Sequence, residues 1–180
     1  MDPVTYPAPQ QEVAAQPSGP EEETPQPPVA SEPVGEIAPG LRIGQAEYAA
    51  HGTRGFAVAS VLLDGDRILA ASLDEYQFMA REGNQGVPGS DGDLGDTYAD
   101  SETVLASKKV NSASYSASMA AAGATVSIYD NLTAIENYAA GLTVGELEAL
   151  VNGNSAESVV EAVAGATLVD TSGYIRAIIE

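Results

Sequence analysis

Near the carboxyl end, Gly165-Ala166-Thr167 sets a hydroxyl two residues beyond a glycine, within EAVAGATLVDTSGYIRAIIE, residues 161–180. Glycine permits φ > 0 and Ala166 adds only a methyl group, so the backbone there can lie close against something flat or charged. Thr167 would then hold its hydroxyl at the edge of an uncrowded recess. A short apolar helix is expected to follow over Tyr174–Ile179, and its start would offer free N–H groups and a positive dipole end, which suit a phosphate. The same residues also make an ordinary helix end, with Gly165 as the residue after the cap and Thr167 as a β-branched strand position. No phosphate-binding lysine or metal ligand stands beside them in the sequence.

Other chemistry-bearing residues are sparse. The chain has one histidine and no cysteine, which removes disulfides, thiolate metal sites and cysteine nucleophiles. His51, in AAHGTRG, reads as a polar turn residue. Tyr76, Phe78 and Met79 in LDEYQFMA could flank an aromatic ring, or simply pack in the core. Asp91, Asp93 and Asp96 are hard oxygen donors that could take Ca²⁺, but their loop lacks the closing Glu of an EF-hand. Lys108 and Lys109 could attract a phosphate or form surface ion pairs. No Ser/His/Asp grouping and no apolar carboxylate pair is identifiable, so the pattern favours a carrier over an enzyme with its own substrate.

The elements that must position these residues are legible in outline. Residues 43–50, 55–63 and 67–73 read as strands, with Asp64-Gly65 giving a type I′ hairpin signal between the last two. The glycine period over residues 83–97 is too short for a collagen helix and reads as a loop. From Ser101 the pattern turns helical and runs through Val104, Leu105 and Lys108 to Ala122, with Gly123 as the stop. A second Gly-Ala-Thr at residues 123–125 opens a further segment. Thr143 and Glu146 form a capping box, and Ser155 or Asn154 caps the helix bearing Val159, Val160 and Val163 that delivers Gly165. The expected fold is α+β, a small antiparallel sheet with several short helices.

Composition sets the outer bounds. Of the 11 prolines in 180 residues, all but Pro88 lie in residues 1–39. That stretch carries seven of the 26 acids and none of the seven bases, so it contributes −7 to the formal charge of −19 and leaves −12 for the remainder. Residues 1–39 therefore read as a disordered, acidic, Pro-rich linker and residues 40–180 as one domain. The charge argues against nucleic acid and anionic membrane surfaces as partners. No segment reaches the ~20 apolar residues that span a bilayer. The chain is then either cytosolic or the mature form of an exported protein, and a Pro/Glu-rich spacer favours the second.

EAVAGATLVDTSGYIRAI resembles the C-terminal motif of the FMN-binding domains of bacterial surface electron-transfer flavoproteins, including the pheromone-type lipoproteins of Gram-positive bacteria. The similarity extends over HGTRGFAVASVLLDGDRILAASLDEYQFMA, GVPGSDGDLGDTYA and LASKKVNSASYSASMAAAGATVSIYDNLTAIENYAAGLT. In that family an acidic residue, two variable positions, a Ser or Thr and then Gly-Ala-Thr form the site where a flavin transferase links FMN through its phosphate to the final Thr. The resemblance implies Thr167 as the attachment residue, with Gly165 and Ala166 matching. Glu161 stands where the family has Asp, and Ala164 where it has the hydroxyl residue. It further implies an extracellular electron carrier at the cell surface or cell wall, served by a flavin transferase and by membrane or surface redox partners. The two departures leave open a flavin-free surface interaction or precursor-lipoprotein domain of the same fold.

The linker reading makes a direct prediction. Limited proteolysis of the full chain is expected to trim residues 1–39 before any cut appears within residues 40–180, and a tail that outlasts the domain would contradict it.

Overall fold

The computed structural model describes residues 40–180, so the expectation for residues 1–39 lies outside the described residues. The described chain is α+β, built on a four-stranded antiparallel sheet in the order β1-β2-β3-β4. The strands are β1 (Leu41–Tyr48), β2 (Gly55–Asp64), β3 (Arg67–Ala80) and β4 (Thr103–Ser107). The helices are α1 (Asp93–Asp96), α2 (Ser112–Ala121), α3 (Ile128–Ala139), α4 (Val144–Gly153), α5 (Ala156–Ala162) and α6 (Thr171–Ile179). One 3₁₀ turn, Gly52–Arg54, links β1 to β2.

The β2–β3 hairpin falls where expected, but its turn differs in type. Asp64 pairs with Arg67, so Gly65 and Asp66 are the central residues. Only Gly65 takes positive φ, at 63°. A single positive φ at a leading glycine is the II′ pattern, whereas I′ needs two. A bulge adjoins the turn: Leu63 pairs with Ile68 and Leu62 with Ala70, which leaves Leu69 of β3 as the extra residue.

The larger departure concerns residues 101–111. Thr103–Ser107 is a strand, and the helix begins only at Ser112. Spacing at i, i+1 and i+4 is met equally by a short strand followed by a turn, and the open edge of a long β3 decides between them. Its second half, Tyr76–Ala80, pairs with Ser107–Thr103, burying Val104 and Ala106 on alternate positions. The rest of that edge is closed by other means. Ile68 exchanges backbone hydrogen bonds with Gly141 and Leu142, and the Leu73 N–H donates to Glu136 Oε1 at 2.5 Å. These bonds supply partners to the edge groups of Ile68 and Leu73 that no strand pairs.

Packing places α3 along β3 and α6 across β1 and β2. Ile128, Leu132, Ile135 and Ala139 recur at helical spacing on the buried side of α3 and meet Ala57, Ala59, Ile68 and Leu73 from the sheet. Tyr174, Ile175, Ala177 and Ile178 of α6 complete that core with Leu147, Val159 and Val163. The capping box is present as expected: Thr143 Oγ1 accepts from the Glu146 N–H, and Glu146 accepts from the Thr143 N–H at 2.8 Å. The Thr143 N–H and then the Thr143 hydroxyl, both donating to Glu146 Oε2, hold the Glu146 carboxyl below the usual glutamate range. On the other face of the sheet Phe56 stacks on Tyr76 at 5.6 Å between centroids, and Phe78 meets Tyr98 edge to face.

This division of faces predicts a contrast in denaturant unfolding. Ile135→Ala, in the fully buried row, should lower stability by about 2–5 kcal/mol. Ile43→Ala, at a side chain 79% exposed, should stay within about 0.5 kcal/mol. Equal midpoint shifts would contradict the assignment of the core.

Candidate functional site

The approach to Thr167 is fixed from both directions. Ser155 caps α5 by accepting from the Ser158 N–H, and Val159 and Val163 bury its apolar side. The chain then turns at Gly165, with φ of 94°, where an added Cβ would lie 3.3 Å from Ala134 Cβ on α3. A side chain there would be strained in φ and tight against that helix, so glycine is dictated. Ala166 is buried, its N–H donating to Val163 O at 3.0 Å.

Thr167 is exposed, and Asn131 of α3 holds it. Asn131 Oδ1 accepts from the Thr167 N–H at 2.6 Å and from Thr167 Oγ1 at 3.3 Å. Asn131 is itself fully buried, and its Nδ2 donates to Ser127 O and Val126 O. One amide thereby joins the loop after the second Gly-Ala-Thr to the loop carrying Thr167. Beside it, Asp130, Ala134, Asn137 and Tyr138 of α3 and Ala162 and Ala164 from the end of α5 line an open groove of about 430 Å³. Ala164 lies in that wall, whereas Glu161 and Thr167, both exposed, are not among its lining residues.

The start of α6 does not offer what the sequence suggested. Thr171 donates both its N–H, at 3.1 Å, and its hydroxyl, at 2.6 Å, to Leu168 O, and the Gly173 N–H donates to Asp170 O. Asp170 is the N-cap residue, but its side chain caps no amide and its Oδ2 faces His51 Nε2 at 3.6 Å, so the end of the helix carries a carboxylate rather than a group that would draw an anion. Gly173 is there for contact: a Cβ would come within 2.4 Å of Ala50 O, so α6 lies directly on the end of the β1–β2 connection.

Both lysines are also placed differently from expectation. Lys108 is only 1% exposed and paired with Glu75, and Lys109 binds Glu136 at 2.5 Å. Neither is free for an anion. Tyr76 and Phe78 face away from the helices while Met79 is buried with Val104 and Ala106, so the three do not converge on the groove beside Ala164. Asp91 faces Arg81 at 3.6 Å, and no cluster able to hold a metal occurs among the described residues.

A second polar centre escaped the sequence reading. Glu75, mid-way along β3, is completely buried. Its Oε2 accepts from Lys108 Nζ and from the Tyr174 hydroxyl of α6, while Oε1 is buried without a partner. Lys108 Nζ lies 4.6 Å from the Tyr115 ring centroid and 3.3 Å from His51 Nδ1. An ammonium only donates, so that nitrogen is the acceptor, and in a neutral ring the proton sits on Nε2, which faces Asp170 Oδ2 at 3.6 Å. The available signal was parity: Glu75 occupies an inward position in line with Leu73, where a charge needs a buried partner.

Against family models, curated proteins and solved structures, the chain finds no match.

Burial raises the Tyr174 phenol well above its ordinary value, with the charge and hydrogen bond of Glu75 adding to the effect. A raised phenol means that the folded state keeps the proton while the unfolded chain releases it above about pH 10. Stability is then complete below that value and falls above it by about 1.4 kcal/mol per pH unit. Tyr174→Phe should cost about 1–3 kcal/mol at neutral pH and should remove this alkaline loss. Parallel stability profiles of wild type and variant from pH 9 to 11.5 would refute a held phenol.

Proposed function

We propose that the chain is an extracellular electron-transfer flavoprotein whose FMN is joined through its phosphate to Thr167 by a flavin transferase. The observation that carries the proposal is the setting of Thr167: an exposed residue whose N–H and hydroxyl are both held by Asn131, the α3 residue between Asp130 and Ala134, which line a groove whose ~430 Å³ falls in the range of small-molecule sites. The residues present fit the group. Asn131 orients the hydroxyl, Gly165 lets the backbone pass close over Ala134, and Ala164 with Tyr138 supplies an apolar and aromatic wall.

Charge supports a covalent link over simple binding. Asp130 and Asp170 lie nearby while Lys108 and Lys109 are committed elsewhere, so a free phosphate would be held poorly and an ester bond supplies the retention. When bound, the flavin supplies reversible electron transfer, and the chain sets its position and surroundings. On this reading the protein works at the cell surface or in the cell wall as the mature form of an exported chain, between membrane or surface redox partners. Ala164, which stands exposed in place of the family's hydroxyl residue, is the observation that favours the second reading, a flavin-free interaction domain of the same fold.

Intact mass after co-expression with a flavin transferase separates these readings. The carrier reading expects a gain of FMN less one water that disappears in Thr167→Ala and falls in Asn131→Ala, where the hydroxyl loses its partner. An unmodified wild type that gains the flavin only as Ala164→Ser supports the second reading.

A further inference from the structure

Glu75 on β3 and Lys108, the first residue after β4, occupy adjoining positions, since Tyr76 pairs with Ser107 and the Lys108 N–H donates to Glu75 O at 2.8 Å. Their side chains meet in a sealed site, 0% and 1% exposed. A well-satisfied buried ion pair would use both carboxylate oxygens, yet Glu75 Oε1 has no partner. Around the pair stand the parts of a group transfer. His51 Nδ1 is 3.3 Å from Lys108 Nζ as a base, and Asp170 lies behind its Nε2 at 3.6 Å to hold the ring. The Tyr174 hydroxyl donates to Glu75 Oε2, where negative charge would develop. This is the order of nucleophile, base and orienting acid, with a donor at the oxyanion position.

We propose that Lys108 and Glu75 condense to an intramolecular amide between Nζ and Cδ, stapling β3 to the chain leaving β4. A proton passes from the ammonium to the carboxylate, leaving a neutral amine as nucleophile and a carboxylic acid as electrophile. The Nζ–Cδ bond forms and the Cδ–Oε1 bond breaks. Oε2 remains as the amide oxygen with the Tyr174 hydroxyl on it. His51 takes a proton from Nζ and returns it to Oε1, which lies 4.0 Å from its Nδ1. Of the three ammonium protons one stays on the amide nitrogen and two depart with Oε1 as water, past the partly exposed His51 ring. No oxidant or second substrate is required.

Two effects drive the condensation. Fixed contact between amine and acid replaces a bimolecular encounter and corresponds to effective concentrations of roughly 10⁵–10⁸ M. Replacing a buried ion pair by a neutral amide also removes two charges from the interior, together with the unpartnered oxygen. Asp74 holds the reacting turn in place from the other face of β3, accepting from Ser107 Oγ and from the Lys109 N–H at 3.1 Å. Neither flavin nor Thr167 takes part, so the proposal stands or falls independently of the carrier reading.

Intact mass of the purified full chain, followed by tryptic mapping, tests it. The expected result is a protein lighter than its sequence by one water, with peptide 68–81 joined to peptide 82–109 and no cleavage after Lys108. Mapping is essential because Asp64-Gly65 and Asp91-Gly92 can each lose water by cyclising. Lys108→Arg keeps the charge without the reactive amine and should have its full sequence mass. His51→Ala should leave the fold intact and slow the reaction by about 10²–10⁴-fold. A wild type of full sequence mass, with the two peptides released separately, overturns the proposal. Condensation at an unchanged rate in His51→Ala overturns the assigned chemistry.

Discussion

A carboxylate buried at the centre of β3 is the constraint on which the rest of the arrangement depends. Glu75 stands in an apolar layer where a lone charge would cost several kcal/mol, and its partners come from chain segments 33 and 99 residues away. Pairing its Oε2 requires the turn after β4 and the side of α6 to meet at one point, with His51 of the β1–β2 connection beside Lys108. The neighbouring Asp74 on the opposite face grips the same turn through Ser107 and the Lys109 amide. Two consecutive acids, one inward and one outward, thus fix the exit of β4 from both faces of the sheet.

That fixing extends to Thr167 through α6 and α3. Tyr174 ties α6 to Glu75, and Gly173 lets the same helix lie on Ala50, so the start of α6 has little freedom to move. Leu168 O receives the Thr171 hydroxyl and anchors the residue after Thr167 to that start. From the other side, α3 is referenced to β3 by Glu136 at the Leu73 amide and holds Thr167 through Asn131. Thr167 therefore hangs between two helices that take their positions from one strand. Such support from packed elements makes a surface group behave as a fixed one.

What the sequence revealed follows the range of the interactions involved. The capping box at Thr143, the Ser155 cap and the stop at Gly123 are set by residues within a few positions, and each falls where the pattern put it, whereas α5 ends at a Val163 cap two residues before Gly165 and Gly65 leads its turn instead of closing it. The strand at Thr103–Ser107 was not legible, because its conformation is decided by the free edge of a β3 that runs on to Ala80. The start of α6 misled for a related reason: a phosphate site needs free amides, and the Thr171 and Gly173 N–H groups are taken by the Leu168 and Asp170 carbonyls of the turn that leads into the helix. Lys108 read as a surface charge because nothing local in LASKKVN shows that one of two adjacent lysines turns into the core. Glu75 broke an apolar strand pattern, and that was the available clue to the buried centre.

The distribution of basic residues carries a consequence for partners. Arg42 and Arg67 donate to the carbonyls of Gly65 and Gly141 at the hairpin and at the end of α3. Arg81 braces the β4 approach through Ser101 O, and Arg176 holds the end of α4 through Val151 O and Asn152. With Lys108 and Lys109 engaged by Glu75 and Glu136, six of the chain's seven bases act as internal braces. The acids outnumber them and lie mostly on the outside, so the potential around the domain is negative over a broad area. Such a field repels polyanions and speeds encounter with cationic surfaces, an effect that salt weakens over about 10 Å. Steering of this kind raises the rate of meeting a partner without requiring a large or tight interface.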